Sequence, residues 1–181
     1  MRKIVAGLFI SLDGVTQDPQ NWQRGLMDEE AGSDVGQGME EADTILLGRR
    51  TYEEFAAFWP NAPKEDPFAA YINNTPKVVV SNTLTSADWQ NTSIVSGDVN
   101  TQLRRLKEQE GKNIGITGSI TLVRSLLRDG LLDELRLQVY PIIVGEGKRL
   151  FEESVGQLPL KLIKSATSPS GIVFLHYQPA G

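Results

Sequence analysis

Apolar residues fall in short blocks along the chain, and the blocks alternate between strand-like runs and helical spacing. Ile4 to Leu12 is a near-continuous apolar run ended by Asp13-Gly14, the pattern of a buried strand entering a turn. Thr44 to Leu47, Lys77 to Ser81, Asn113 to Thr117 and Glu134 to Pro141 repeat it, and Ser93 to Val95 is a shorter version. Between these blocks the period changes. Arg50 to Phe58 sets Tyr52, Phe55 and Phe58 on one side of a helix, and Asn100 to Gln109 turns Leu103 and Leu106 inward before Gly111. Ile120 to Arg128 is a further helix, ended by Gly130. Met27 to Ala42 is an acidic helix weakened by Gly32, Gly36 and Gly38, since a helical glycine costs about 1 kcal/mol against alanine. A short helix is expected over Phe68 to Asn73, with loops over 15–26 and 60–67. Leu160 to Ser168 and Ile172 to Gln178 form a closing hairpin about Ser170-Gly171. Strands alternating with helices predict a three-layer α/β fold. Its mixed, mostly parallel central sheet is flanked by helices and ends in a C-terminal antiparallel hairpin.

Composition narrows the function classes. The 181 residues suffice for one domain with a sizeable core, and 40% hydrophobic with 23% charged residues is ordinary globular usage. A formal net charge of -5 argues against nucleic acid as a partner, because phosphate-backbone binding runs on Lys and Arg. There is no cysteine and one histidine, His176, which removes disulfides, thiol nucleophiles and multi-His metal sites. No metal is expected. The basic start followed by apolar Ile4 to Ile10 is too short for a signal peptide, and no stretch approaches a membrane span. A cytoplasmic protein is expected.

Three turns concentrate the candidate chemistry. The first is Gly48-Arg49-Arg50-Thr51, where a buried strand passes into a helix within three residues. Thr51 and Glu54 have capping-box spacing, which places the helix start near Thr51. Free helix amides and two guanidinium forks there suit a phosphate. In the second, Gly118-Ser119-Ile120-Thr121, Ser119 or Thr121 is a candidate cap while the amides cradle a diphosphate, and a side chain at Gly118 would fill that space. Polar Ser81-Asn82-Thr83, after a β-branched strand, is either a ribose-phosphate contact or a plain turn. In open α/β sheets ligands bind at this carboxyl edge.

With Ser11-Leu12-Asp13-Gly14 and Pro141 to Gly147, these turns resemble, in order and spacing, the dihydrofolate reductase-like superfamily. The chain looks most like the reductase domain of bacterial riboflavin biosynthesis, as a stand-alone member related to 5-amino-6-(5-phosphoribosylamino)uracil reductases. The resemblance implies NADPH as cofactor. It puts Gly48, Arg49, Arg50 and Thr51 on the phosphates, Ser81 and Asn82 at the adenosine end, and Gly118, Ser119, Ile120 and Thr121 around the diphosphate. Leu12, Asp13, Gly14 and Val15 would border the nicotinamide and substrate, and Val5 and Ala6 would lie against the nicotinamide ring. Asp13 and Trp22 are the substrate-cleft candidates.

The sequence also departs from the family. An acidic residue before the second glycine turn is replaced by Ile116 and Thr117, and without cysteine a deaminase step is not expected. Asp28, Glu29, Glu30 and Asp34 read as a solvated helix face, and His176 as a packed strand residue. Two functions follow: an NADPH-dependent reductase of a small pterin-, pyrimidine- or imine-like molecule, or a non-catalytic binder of NADP(H) or a pterin-like ligand. A homodimer is expected through the apolar segment Leu131 to Val144, which looks too hydrophobic to leave wet.

Overall fold

The computed structural model describes residues 1–152 and 156–181. Eight strands form one mixed sheet: β1 (Ile4–Ser11), β2 (Ala42–Gly48), β3 (Lys77–Val80), β4 (Thr92–Val95), β5 (Asn113–Thr117), β6 (Glu134–Tyr140), β7 (Leu160–Thr167) and β8 (Val173–Pro179). Their order is β4-β3-β2-β5-β1-β6-β8-β7. All pairs are parallel except β6 with β8 and β8 with β7. Five α-helices connect them: α1 (Glu29–Glu41), α2 (Arg49–Phe58), α3 (Pro67–Asn74), α4 (Val99–Glu108) and α5 (Ile120–Arg128).

The alternation within β1 divides the molecule. Ile4, Ala6, Leu8 and Ile10 point to one face and join Leu103 of α4 and Leu122, Val123, Leu126 and Leu127 of α5 in the main core. The opposite face carries two separate clusters. Ile45, Leu47 and Val79 pack with Tyr52 of α2, Ile72 of α3 and Trp89. Across the sheet, Ala31 of α1 packs with Tyr140, Ile172 and Phe174, bordered by Phe9 and Trp22. Lys77 is buried at the foot of β3. Its ammonium donates to the carbonyls of Ile72, Asn73 and Thr75 at 2.8, 3.3 and 2.9 Å and lies 4.4 Å from the Trp89 ring centre. Burial pushes it down to about 8.

Two expectations need correction here. The expected dimer surface over Leu131 to Val144 is largely internal, because β6 lies between β1 and β8. Leu131, Leu132, Leu135, Leu137 and Tyr140 are all buried, and Pro141 and Ile143 are exposed. The chain itself covers what looked like spare apolar surface. Two adjacent exposed apolar residues, Leu162 and Ile163, lie on the edge strand β7. Secondly, Leu12 falls outside β1 and is exposed, because the Ser11 N–H turns to the Val15 carbonyl and closes a tight loop. No helix among the described residues is long and apolar enough to cross a membrane.

Candidate functional site

Helix N-termini leave amides without partners, and an aspartate is the usual remedy. Asp28, Asp66 and Asp98 cap α1, α3 and α4, each accepting from amides of the first turn. The helices α2 and α5 have no side-chain cap. They start from adjacent strands, β2 and β5, at the carboxyl edge of the sheet. The expected capping box is therefore absent. Helix α2 begins at Arg49 with Gly48 as its cap residue, and neither Ser119 nor Thr121 caps α5.

The Ser119 and Thr51 hydroxyls have a different task. Ser119 Oγ accepts from the Gly48 N–H at 2.9 Å, and Thr51 Oγ1 accepts from the Ser119 N–H at 3.1 Å. The two turns are thereby stitched together across some seventy residues of sequence, with both uncapped helix starts side by side. Gly118 and Ser119 are left-handed, at φ 64 and 50. A Cβ on Gly118 would stand 3.1 Å from Thr51 Cγ2, so a larger residue there strikes the protein before it reaches any ligand. Arg49 pairs with Glu53 at 3.0 Å one turn on, while Arg50 makes no ion pair among the described residues. Ser81 Oγ accepts from the amides of Thr83 and Leu84, and Asn82 Oδ1 accepts from the Gly97 N–H. These two side chains shape the turn after β3, which is the plainer of the two readings.

The loop after β1 is similarly engaged. Asp13 accepts from the Ser11 hydroxyl at 2.6 Å and from the amides of Val144 and Gly145 at 3.1 and 2.9 Å. Those bonds, the Ser11 one foremost, hold its carboxyl down to about 2. A carboxylate so placed fastens two loops together and does not donate a proton at neutral pH. Val15 is buried, and its amide and carbonyl both bond to Ser11, so it can face a ligand only across the loop. Gly14 takes φ 87 beside Arg149. Trp22 donates its indole N–H to the Gln17 carbonyl and packs edge-on against Tyr140, 5.7 Å between ring centres. With Gln17, Asp18, Asn21, Val144, Glu146 and Gly147 it lines a hollow of about 310 Å³. A larger hollow, about 970 Å³, runs along α2 from Tyr52 and Glu53 to Pro60, between the helix and Asn73 and Trp89, and neither Gly48 nor Gly118 lines it.

Between the clusters under α1 and α2, the sheet is uncovered at Gly7. Helix α2 covers β2 and β3, while α1 sits on β6 and β8 through Gln138, which donates to the Ala31 carbonyl and to Asp34. In the gap, Gly7 of β1 is exposed, with no atom within 4 Å of where a Cβ would stand. Val5 is on this face but is itself buried, at 8% exposed, and Ala6 is buried on the other face and offers only backbone. Sequence reasoning missed the polar row beneath α1, whose signal was polar residues at every second position of β6: Glu134, Arg136, Gln138 and Tyr140. Arg136 bonds Glu134 and Glu41, each at 2.7 Å, and His176 stands 3.7 Å from both Asp34 and Glu134. Burial opposes the Arg136 charge, but the two carboxylates outweigh it and raise its affinity for the proton. Burial pushes the Tyr140 hydroxyl up to about 12. Asp34 thus belongs to this network, Asp28 caps α1 and accepts from Ser170, and Glu29 and Glu30 lie on the solvated face as expected. His176 is buried, as expected.

Comparison with known proteins agrees with this geometry. The RibD C-terminal domain model matches residues 2–174. An uncharacterized protein of Bacillus subtilis (strain 168), YyaP, is 29% identical over 97% of this chain and 94% of its own length. A Shewanella sp. PV-4 protein provisionally placed in riboflavin biosynthesis superposes with a TM-score of 0.80 at 22% identity, covering 99% of each chain. The dihydrofolate reductase of Enterococcus faecalis, solved with NADP(H), superposes at 0.65 with 14% identity, over 99% of this chain and 97% of that one. The two superpositions establish the dihydrofolate reductase-like fold.

Proposed function

The chain belongs to the RibD C-terminal domain family, and on that premise we propose that it is an NADPH-dependent reductase of a small pterin-, pyrimidine- or imine-like molecule. One observation carries the reading: of the five α-helices, the two left uncapped are the two whose starts are tied together at the sheet's carboxyl edge. Helix amides unpaired by the protein are a ready site for an anion, and the diphosphate of a dinucleotide presents two charges to two such ends. The residues fit the cofactor. Amides of Arg49, Arg50, Thr51, Ile120 and Thr121 would face the diphosphate, with Gly48 and Gly118 letting the two turns approach each other. Arg50, unpaired, is the stronger candidate for the 2′-phosphate, with Arg49 shared with Glu53. The turn at Ser81 and Asn82 would border the adenosine end, and Val5 and the Ala6 backbone the nicotinamide.

NADPH supplies the hydride when bound, and the protein's part is to bind, orient and exclude water. Asp13 is held ionised, so water is the proton source in this reading. The engagement of Asp13, Asp28 and Asp34 within the protein also favours the alternative, a binder that keeps the fold without the reaction. Calorimetry with NADPH and NADH, followed by NADPH oxidation with a panel of pterins and pyrimidines, separates the two. Tight NADPH binding with turnover supports the reductase, and binding without any turnover supports the binder. No binding of either dinucleotide overturns both.

A further inference from the structure

One row of residues crosses the floor of the bare gap: Thr117 of β5, Gly7 of β1 and Arg136 of β6 are register partners. Partners on neighbouring strands point to the same face about 4.8 Å apart, so Thr117 and Arg136 flank Gly7 with roughly 10 Å between their strands. That spacing accepts one planar ring lying over the glycine. Arg136 is an unusual neighbour for it. Its side chain is 17% exposed, with Nε bonded to Glu134 and Nη1 to Glu41. Nη2 has no hydrogen-bond partner among the described residues, and neither has the Thr117 hydroxyl.

Charge decides what such a pair selects. Two carboxylates already answer the one guanidinium, and Asp34 and His176 stand behind them. An anion therefore meets no net positive field. A neutral acceptor, in contrast, meets a rigid, charge-assisted donor. We propose that Arg136 is the specificity-determining residue of the groove, donating from Nη2 to a ring carbonyl of a neutral planar heteroaromatic substrate, with the Thr117 hydroxyl on its other side. An amino group in place of that carbonyl sets donor against donor and is rejected. The proposal rests on the reductase reading for the position of the substrate.

Calorimetry on the full chain saturated with NADP⁺ compares 2,4-dioxopteridine with 2,4-diaminopteridine, which share a shape and differ in donors and acceptors. The dioxo compound is expected to bind at least about tenfold more tightly, equivalent to roughly 1.4 kcal/mol. Arg136→Lys keeps a cation between Glu134 and Glu41 but loses the planar fork, and it brings the two compounds to within a factor of about two. Thr117→Val, of equal shape, narrows the gap by a smaller factor. Both variants retain NADP⁺ affinity. Equal binding of the two pteridines, a preference for the diamino compound, or no binding of either at millimolar concentration overturns the proposal. Loss of NADP⁺ affinity in Arg136→Lys overturns it too, by assigning the residue to the cofactor. A wild-type protein that fails to bind NADP⁺ sinks the cofactor reading instead, and the same pteridine comparison on the bare protein then decides the role of Arg136.

Discussion

Ser119→Ala is a direct probe of the stitched turns. Ser119 is 8% exposed, its hydroxyl accepts from the Gly48 N–H at 2.9 Å, and its own N–H donates to Thr51 Oγ1 at 3.1 Å. Alanine keeps the Cβ and the left-handed φ of 50, so the variant removes the hydroxyl and nothing else. The Gly48 amide, part-buried, is then left without an acceptor, a loss of about 1–3 kcal/mol. For a chain of this length that lowers Tm by about 2–4 °C per kcal/mol. Ser119→Gly loses the same bond but relieves left-handed strain by about 1 kcal/mol, so it should melt above the alanine variant. Thr51→Val removes the return bond. Because one residue makes both contacts, the double variant is expected to be non-additive, with a coupling of about 0.5–3 kcal/mol. Urea unfolding of the wild type and the four variants measures stability, and NADPH calorimetry shows whether loosening the turns also weakens the cofactor. Wild-type stability in Ser119→Ala, or strict additivity in the pair, would show that the stitch contributes nothing.

Four further outcomes are expected. Gly7→Val should fold with wild-type stability or better, since nothing stands within 4 Å of its Cβ and valine suits a strand, yet lose ligand binding; unchanged binding in titrations would place the ligand elsewhere. Arg50→Ala should weaken NADPH more than NADH, by about 1.5–3 kcal/mol for one charge-assisted contact, and equal weakening of both dinucleotides would contradict its 2′-phosphate role. The Asp13 carboxyl sits near 2 in the fold against an ordinary 3.8, so its hold on the 144–145 loop is complete above 3.8 and is lost as pH falls toward 2. The amide resonances of Val144 and Gly145 should move in that window, and a midpoint near 4 would show the bonds to be weak. A homodimer remains the expectation, now through the edge strand β7, so Leu162→Lys with Ile163→Lys should give a monomer by light scattering; a wild-type monomer well above micromolar concentration would refute it.

The legible parts of the fold were those decided within a few residues. Period and turn chemistry placed all eight strands and all five α-helices to within a few residues, because a run such as Val78-Val79-Val80 fits little but a buried strand. Misreadings came where a local pattern had a distant partner. Thr51 and Glu54 have the spacing of a cap, but the Thr51 hydroxyl goes to Ser119. Asp13, read as a cleft candidate, also has bonds to amides 131 and 132 residues away that no local window shows. The segment Leu131 to Val144 was correctly read as strongly apolar, but burial is a property of sheet order, and no local window says that β6 is an inner strand. The bare floor at Gly7 was equally hidden. It arises from where α1 and α2 stop covering the sheet, which no single element encodes.

The position of β1 also governs the order in which this chain can be made. Its neighbours are β5 and β6, so Ile4 waits for Ile114, and Ser11 for Tyr140. During synthesis the first strand leaves the ribosome more than a hundred residues ahead of either partner, as an apolar segment with two open edges. Contacts so distant in sequence form slowly, and such a segment is prone to aggregate until they form. A chain halted before Glu134 has no strand to close the second edge of β1 and cannot complete its core. Premature termination before Glu134 should therefore yield material for proteases and chaperones, not a smaller folded domain.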